Sequence, residues 1–546
     1  MQMVNKMLSA EGNIIRINFS KKMSIGISVA EICAFVSSLV FGLALYNKWI
    51  TKLIINPDVL LNGIVYKYGM QWEDSLGRIG LRPVVYMKGL FVLPGFTALI
   101  TIVLNAAAAA LLCRLFEIKK NAVAVAVGII LCCSPSFCEL MTYYYCSDAY
   151  MWACLCSILF VYFAGKKSGA GFSILAAALL TISLTMYQAY LGTAVTVSLF
   201  FLIYLAVVEL RPIKDLLRAL LRLGISGAAG ILVYLGAFGI YSYLSETDSS
   251  ERIGGMGTLP LDKLILLIKQ AYGAFYTFYV GNAKFYHQFM KWGTVNLVII
   301  AFVYLVIAWR LLCKRKEIRI PGCVLVIIMS LMIPLAVMSV CVYAYTADIY
   351  DVTGILMVPH INYIYVFLLC MLFCGDDTGG IPTGVLRYSG SLLTALITFI
   401  LILYTQAYAA SVEQDFNQAD TVADIMLCRL SELPEYRHGM KLAVFGNYRD
   451  GNYPRCGSGS WEPTDLENIV KGTGVEWGCF WPNTGCIEQG WISFLAYNKG
   501  CWFTAVGDDA DMNRLSESDE YKNMKEFPLE GSVGMIGDTA VVKLSE

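Results

Sequence analysis

Apolar segments of about twenty residues recur along most of this chain and predict membrane-spanning helices. A helix of about 20 apolar residues is long enough to cross the roughly 30 Å of hydrocarbon in a bilayer. The pattern predicts about eleven such spans. They lie near residues 24–46, 92–113, 121–138, 149–164, 171–187, 190–209, 224–244, 294–312, 321–343, 361–374 and 388–409.

The composition agrees with this pattern. Of the 546 residues, 57% are hydrophobic and only 15% are charged, and the mean hydropathy is +0.61. A soluble domain is less apolar and carries more charge. Lysine plus arginine (41) equals aspartate plus glutamate (41), so no net field attracts nucleic acid. The fold class predicted is therefore a polytopic α-helical protein that lies in the lipid bilayer and binds no nucleic acid.

Basic residues occur in alternate loops and predict the orientation. Loops rich in lysine and arginine stay in the cytoplasm. This rule places residues 1–23 inside and the loops 48–88 and 245–292 outside. With eleven spans, the residues after 411 also lie outside. The basic clusters are Arg16, Lys21 and Lys22, then Arg114, Lys119 and Lys120, then Lys166 and Lys167, then Arg211, Lys214, Arg218 and Arg222, and finally Lys314, Arg315, Lys316 and Arg319.

Residues 412–546 differ from the rest, because short apolar runs there alternate with turn signals. They predict a small extracytoplasmic α/β domain that begins with a helix near 419–433. Its five tryptophans could bind an acceptor sugar or pack inside the domain, and its cysteines could pair in an order that the spacing does not fix. The tryptophans are Trp461, Trp477, Trp481, Trp491 and Trp502, and the cysteines are Cys428, Cys456, Cys479, Cys486 and Cys501.

The polar loop between the first two spans, roughly residues 48–88, gathers acidic and basic groups beside the membrane. Carboxylates can take a proton, arginines can hold a phosphate, and aromatic rings can stack on sugars, as glycosyl transfer from a phospholipid donor requires. The blander interpretations are an aromatic interfacial belt, solvated acids and an interfacial helix for the arginines. The loop carries Asp58, Glu73, Asp74, Arg78 and Arg82, and other outer loops add Asp148, Tyr150, Tyr187 and Gln188.

No metal site is expected from the histidines, because His287, His360 and His438 have no companion at ligand spacing. The carboxylates could hold a divalent cation, although nothing in their spacing requires one. No other cofactor is expected.

Short motifs along the chain are similar to those of a known family. Asn56 to Asn62 followed by Gly77-Arg78 resembles the first outer loop of the bacterial Gtr-type glucosyltransferases, which are membrane enzymes of the GT-C class. The resemblance continues through Ser134 to Ser136, Asp148 to Tyr150 and Ser183 to Leu191, and through Phe527-Pro528, Gly531-Ser532 and Val541 to Leu544 near the end. Two positions depart from the pattern, since Pro57 stands where histidine is common and Ile79 where tryptophan is usual.

The spans, the charge pattern and the different tail divide the chain into a cytoplasmic segment (1–23), a membrane domain (24–411) and an outer domain (412–546). The resemblance implies that the membrane domain is a GT-C-like catalytic domain in a bacterial cytoplasmic membrane. It also implies a polyprenyl-phosphate sugar, with glucose as the usual sugar, as donor and a surface glycan as acceptor. Asp58 would be the general base, with Glu73 and Asp74 in reserve. Arg78 and Arg82 would hold the donor phosphate. Substrate positioning would fall to Asp148, Tyr150, Tyr187 and Gln188.

Two other functions stay open from the sequence. The first is a transporter or flippase of a lipid-linked sugar, for which internal repeats and ionisable groups near mid-bilayer are typical. The chain has no evident repeat, and Glu31 is the one carboxylate well inside a predicted span, where a bond to a neighbouring helix is the favoured role. The second is a binding protein whose outer domain does the work. Transfer of labelled sugar would distinguish both from an enzyme.

Overall fold

The computed structural model describes residues 8–11, 14–20, 23–51, 73–91, 93–245, 263–281, 292–343, 358–375, 381–446, 484–506 and 509–545. Most of these residues are helical, as the apolar pattern predicts. Asp58 and the motif from Asn56 to Asn62 lie outside the described residues.

Six helical stretches among the described residues are long and apolar enough to cross a bilayer, as is typical of a membrane protein. They are Pro94–Leu115, Ser147–Lys166, Gln188–Val207, Ile213–Ser245, Trp292–Cys313 and Thr383–Ala410. Shorter apolar helices cover three more predicted spans, at Val29–Leu45, Ala170–Met186 and Pro359–Phe373. The total of eleven spans stays a prediction.

The predicted span at 121–138 is bent. Helices Asn121–Cys132 and Pro135–Met141 meet at 51°. Pro135 starts the second helix, where its missing N–H costs nothing, but it cannot continue the first. Ser134 caps the second helix by accepting a hydrogen bond from the Phe137 N–H at 3.2 Å. The pair counts as a seventh span if the chain crosses the membrane through the bend.

Two other predicted spans have different bounds. The first begins at Val29 rather than residue 24, because Met23–Ser28 pairs as a β-strand. The expected single helix at 321–343 is wrong, since the chain forms Arg315–Leu331, Ile333–Val337 and Val340–Tyr343 there. Arg319 has a non-helical backbone (φ 62°) that kinks the first of these helices, and a proline lies in the first turn of the second.

The predicted outer loop 245–292 contains a helix, Leu264–Tyr279. One face of this helix is buried, and its buried residues follow helical spacing: Leu267, Ala271, Phe275 and Phe278. Its opposite face is exposed, with Ile265 at 82%. This helix was not predicted from the sequence, although the helical period is present there.

The helices pack with their ends at two levels of the bundle. At one level, which we call the basic end, Glu31 near the start of its helix pairs with Arg114 near the end of another at 3.0 Å. Lys166 and Arg222 donate to helix-terminal carbonyls at the same end. The other level, the carboxylate end, holds Glu73, Asp74 and Asp148, which come from the predicted outer loops. The bond that Glu31 accepts from Arg114 agrees with its expected interhelical role.

The C-terminal residues form a mixed sheet covered by helices. The strands, in the order Thr504–Ala505, Lys441–Phe445, Thr539–Lys543 and Val533–Ile536, are parallel except for the last pair. The helices there are Thr484–Lys499, Asp509–Glu517 and Asp519–Asn523. Trp491 is fully buried and so serves packing, whereas Trp502 is 54% exposed. Cys428 and Cys501 are free thiols. Trp461, Trp477, Trp481, Cys456 and Cys479 lie outside the described residues, as does the side chain of Cys486.

One helix, Ile381–Ser431, joins the last apolar segment to this sheet without interruption. The helix expected near 419–433 is therefore the end of a 51-residue helix rather than a separate element. Lys499 pairs with Asp420 at 2.8 Å and with Asp424 at 2.7 Å, and so fixes the covering helix to the long one.

The remaining elements are short or flank the spans. The strands Leu8–Glu11, Ile14–Ser20 and Met23–Ser28 form an antiparallel sheet in that order. Helices Asn47–Thr51 and Leu81–Met87 follow, and Tyr162–Lys166 is a π-helical turn at the end of Ser147–Val161. Gln188–Tyr190 and Pro359–Asn362 are 3-10 turns that lead into Leu191–Val207 and Tyr363–Phe373.

Candidate functional site

A tight backbone reversal at residues 73–78 begins the site at the carboxylate end. The Gly77 N–H donates to the Asp74 carbonyl at 2.8 Å, and the Arg78 N–H donates to the Glu73 carbonyl at 2.9 Å. Gly77 has a φ of +73°, which a residue with a side chain adopts only with strain. This turn brings the side chain of Arg78 back over Glu73.

Arg78 contacts three other residues of the site through its guanidinium group. Its Nη1 donates to Glu73 Oε2 at 2.8 Å and to the Tyr150 hydroxyl at 3.0 Å. Its guanidinium also lies 4.6 Å from the centre of the Tyr187 ring, within range of a cation–π interaction. Burial lowers the pKa of Arg78, but Tyr150, Glu73, Tyr187 and Tyr145 together raise it by more, so the net shift is upward and the guanidinium stays charged.

The remaining nitrogens of Arg78 have room for a ligand. Its hydrogen bonds with the described residues all use Nη1. Nε is buried and has no partner among the described residues. A buried N–H without a partner costs free energy, and an anion can remove that cost by accepting the bond.

A second arginine–carboxylate pair lies beside the first. Arg82 Nε donates to both oxygens of Asp74, at 2.9 and 2.8 Å, and Nη2 adds a further bond. The Tyr241 hydroxyl donates to Asp74 Oδ2 at 2.9 Å. The hydrogen bond to Asp74 raises the pKa of Arg82. The Asp74 side chain is 1% exposed, whereas that of Arg82 is 33% exposed. Asp74 therefore holds Arg82 at the rim of the site.

A third ion pair closes the other end of the loop. Lys88 Nζ lies 3.0 Å from Asp148 Oδ1 and donates to the Tyr145 carbonyl at 3.1 Å. Both charged side chains are almost completely buried, at 5% and 6% exposed. Tyr145 in turn donates from its hydroxyl to Glu73 at 3.4 Å.

Aromatic and amide groups form the wall behind Arg78. The Tyr150 and Tyr187 rings stack with their centres 4.4 Å apart. The Gln188 side-chain amide donates to the Leu76 carbonyl at 2.7 Å and to the Tyr234 hydroxyl at 2.6 Å. Tyr234 reaches the Gly77 carbonyl at 3.3 Å. These bonds attach the reversal at residues 73–78 to two long helices.

A comparison with protein families identifies the family of this chain. Residues 62–373, more than half of the chain, match the family described as Glucosyl transferase GtrII. The chain belongs to the GtrII glucosyl transferase family. The Gtr-type resemblance predicted from the short motifs is thus confirmed. Membership implies glucosyltransferase activity, with a sugar donor and an acceptor as substrates. No curated protein and no solved structure matches the chain.

The GtrII match spans every described residue of the site. It begins four residues after Asp58 and ends at Phe373, before the long helix and the C-terminal sheet. Eight of the nine residues proposed from the sequence come together at the carboxylate end; the ninth, Asp58, lies outside the described residues. They are Glu73, Asp74, Arg78, Arg82, Asp148, Tyr150, Tyr187 and Gln188.

Three residues of this GtrII site were missed from the sequence. Lys88 ends the polar loop but stands alone there as a charge. Tyr234 and Tyr241 lie seven residues apart and so share one helix face, which was the available signal. Among the described residues, no group of three or more His, Cys, Asp or Glu side chains is placed to hold a metal ion.

Proposed function

We propose that this GtrII protein is a membrane glycosyltransferase of the GT-C class that moves glucose from a polyprenyl-phosphate donor to a surface glycan on the extracytoplasmic side of a bacterial cytoplasmic membrane. The observation that carries the proposal is the environment of Arg78. This charged guanidinium is fixed by Glu73, Tyr150 and Tyr187, and its Nε still lacks a partner among the described residues.

Arg78 is the proposed ligand of the donor phosphate. Transfer breaks the bond between the anomeric carbon and a phosphate oxygen, so negative charge grows on the departing polyprenyl phosphate. A preorganised cation stabilises that charge more in the transition state than in the ground state. Arg82, one helical turn later and more exposed, would meet the same phosphate from the rim.

Asp58 is the proposed general base. The acceptor hydroxyl attacks the anomeric carbon and gives its proton to this carboxylate. The contacts of Glu73 and Asp74 favour a different task for those two residues, since each holds an arginine. Asp74 in particular already accepts bonds at both oxygens, and its side chain is almost completely buried.

The other site residues have supporting roles in the proposal. Tyr150, Tyr187 and Gln188 shape the wall that holds Arg78, and Asp148 orients its segment through Lys88. Residues 1–23, 24–411 and 412–546 are proposed as the cytoplasmic, catalytic and outer parts. The gathering of Arg114, Lys166 and Arg222 at one end supports placing that end in the cytoplasm, by the positive-inside rule.

The experiment is transfer by the purified protein in liposomes. Radiolabelled glucosyl polyprenyl phosphate is the donor, and envelope glycan from a strain that lacks the gene is the acceptor. We expect label in the glycan, no label from a nucleotide-linked glucose, and loss of transfer in Asp58→Asn. Transfer from the nucleotide sugar alone, or lipid movement without a new glycosidic bond, would contradict the proposal. Activity of Asp58→Asn equal to wild type would contradict only the assignment of the base.

A further inference from the structure

The polar loop that carries Arg78 is attached to one short segment of the neighbouring helix at two points. At the first point, Glu73 and Arg78 bond to the side chains of Tyr145 and Tyr150. At the second, Lys88 bonds to the Tyr145 carbonyl and to Asp148. All the attachment points on the second segment fall within residues 145–150, the entry to the helix Ser147–Val161.

We infer that Lys88 is a positioning residue for glucosyl transfer, acting through the 145–150 segment on the guanidinium of Arg78. This inference rests on the proposed function of Arg78. Lys88 itself does not touch substrate, because its side chain is 5% exposed and is directed at Asp148 and the Tyr145 carbonyl.

The ion pair between Lys88 and Asp148 is buried, so it contributes little net free energy to the stability of the fold. Removing a charge from water carries a penalty that the attraction between the two charges only partly repays, so apolar residues would often serve stability as well. What the pair provides is geometry. The ammonium bonds to a carboxylate and to a carbonyl, and these two acceptors fix the direction in which residues 145–150 leave the loop.

The same segment then sets the position of Arg78. Tyr145 and Tyr150 are five positions apart, and Asp148 lies between them in the first turn of the helix. If the turn shifts, both hydroxyls shift with it. The bond from Arg78 Nη1 to Tyr150 then changes, and so does the bond from Tyr145 to Glu73, which is the other partner of Nη1. A displacement of about 1 Å at a group that must meet a transition state can cost about 100-fold in rate.

The test uses a variant that removes both charges, Lys88→Met with Asp148→Asn, so that no buried charge is left unpaired. Its control is Arg114→Met with Glu31→Gln, which removes a charge pair at the basic end. We expect the first variant to lower kcat about 10- to 100-fold with little change in the KM for the glycan, and the control to keep kcat. Lys88→Arg, which keeps the charge and the donors, should be clearly more active than the double variant.

A second readout does not depend on transfer. Phenylglyoxal modifies accessible guanidinium groups, and peptide mass spectrometry measures the labelled fraction of Arg78 in the folded protein. We expect faster labelling of Arg78 in Lys88→Met with Asp148→Asn, and wild-type labelling in the control. If the double variant does not fold, Lys88→Leu with Asp148→Asn, which also leaves no buried charge unpaired, takes its place with the same expectation.

Unchanged kcat together with unchanged labelling of Arg78 would overturn the role of Lys88, as would a Lys88→Arg variant as impaired as the double variant. Failure of the proposed function has a different signature, namely wild-type protein that transfers nothing from the lipid donor. In that case the labelling of Arg78 still decides whether Lys88 positions it.

Discussion

The two ends of the helix bundle use cations in different ways. At the basic end, three cationic side chains, those of Lys166, Arg222 and Arg310, bond to backbone carbonyls where helices stop, beside ion pairs such as Arg114 with Glu31. Arg222 donates to the Ala164 and Gly165 carbonyls at 3.0 and 2.8 Å, and Arg310 donates to the Met371 and Cys374 carbonyls at 2.6 and 2.8 Å. At the carboxylate end, Arg78, Arg82 and Lys88 pair with acidic side chains instead.

This difference separates stability from function. The last carbonyls of a helix have no partner within the helix, and a cation there satisfies them and complements the negative end of the helix dipole. Such bonds complete the fold by themselves. An arginine held by a carboxylate and two tyrosines is instead fixed in direction, with part of its guanidinium left for another group. Mutations at the carboxylate end should therefore lower the rate of transfer, whereas mutations at the basic end should lower the stability of the protein.

The largest effect is expected at Arg78. Arg78→Ala removes the proposed phosphate ligand, and the loss of one preorganised electrostatic donor typically costs about 100- to 1,000-fold in kcat. Transfer assays on the purified variant measure this. Arg78→Lys is the matched variant: it keeps the charge but lacks Nε and the planar guanidinium, so it should recover only part of the rate. Full activity in Arg78→Ala would contradict a catalytic role for the carboxylate end.

The next effect is expected at Tyr150, whose hydroxyl bonds to Arg78. Tyr150→Phe keeps the ring stacked on Tyr187 but removes a hydrogen bond to a charged group, a change of about 1.5–3 kcal/mol, or roughly 10- to 100-fold in rate if it acts on the transition state. Steady-state kinetics with varied lipid donor provide the measurement. Tyr162→Phe, at the basic end, is the control and should leave kcat unchanged.

At the basic end the effect should be on stability. Arg310→Met leaves the Met371 and Cys374 carbonyls without their partner, which costs about 1–3 kcal/mol for buried groups. Thermal unfolding of the detergent-solubilised protein should show a lower Tm, while kcat per folded molecule stays at the wild-type value. A normal Tm with a lower kcat would show that the two ends do not divide the work as described.

The smallest effect is expected at an exposed pair of the basic end, Asp215 and Arg218, whose side chains are 44% and 71% exposed. Exposed ion pairs contribute at most about 1 kcal/mol and often nothing measurable. Asp215→Asn should therefore change neither Tm nor kcat beyond error. A large loss of stability in this variant would mean that exposure is a poor guide to the role of these charges.

The apolar pattern predicted many of the helices, and the loop charges predicted several residues of the site. Segments such as Pro94–Leu115 and Trp292–Cys313 are helices because their composition suits no other state in a bilayer. The sequence predicted the site from four charged residues that are close together in the chain, Glu73, Asp74, Arg78 and Arg82, and from short motifs elsewhere. In the structure these pair within their own loop.

What the sequence could not supply were contacts between distant residues. Lys88 and Asp148 are 60 positions apart, and Arg78 and Tyr150 are 72 apart. Their pairing depends on how helices pack, which periodicity does not specify. Breaks within apolar segments were also missed, because the break between Leu331 and Ile333 and the bend before Pro135 keep the apolar composition of a straight span.

The most direct test of the central claim, that Arg78 binds the phosphate of the lipid donor, is the affinity for polyprenyl phosphate alone. This molecule is the proposed product and carries the phosphate without the sugar. Binding to protein in nanodiscs would be measured for wild type, Arg78→Ala and Arg222→Ala. The account predicts a Kd at least about tenfold weaker in Arg78→Ala, from the loss of a charge-assisted bond, with wild-type affinity in Arg222→Ala. Equal affinity in wild type and Arg78→Ala would contradict it.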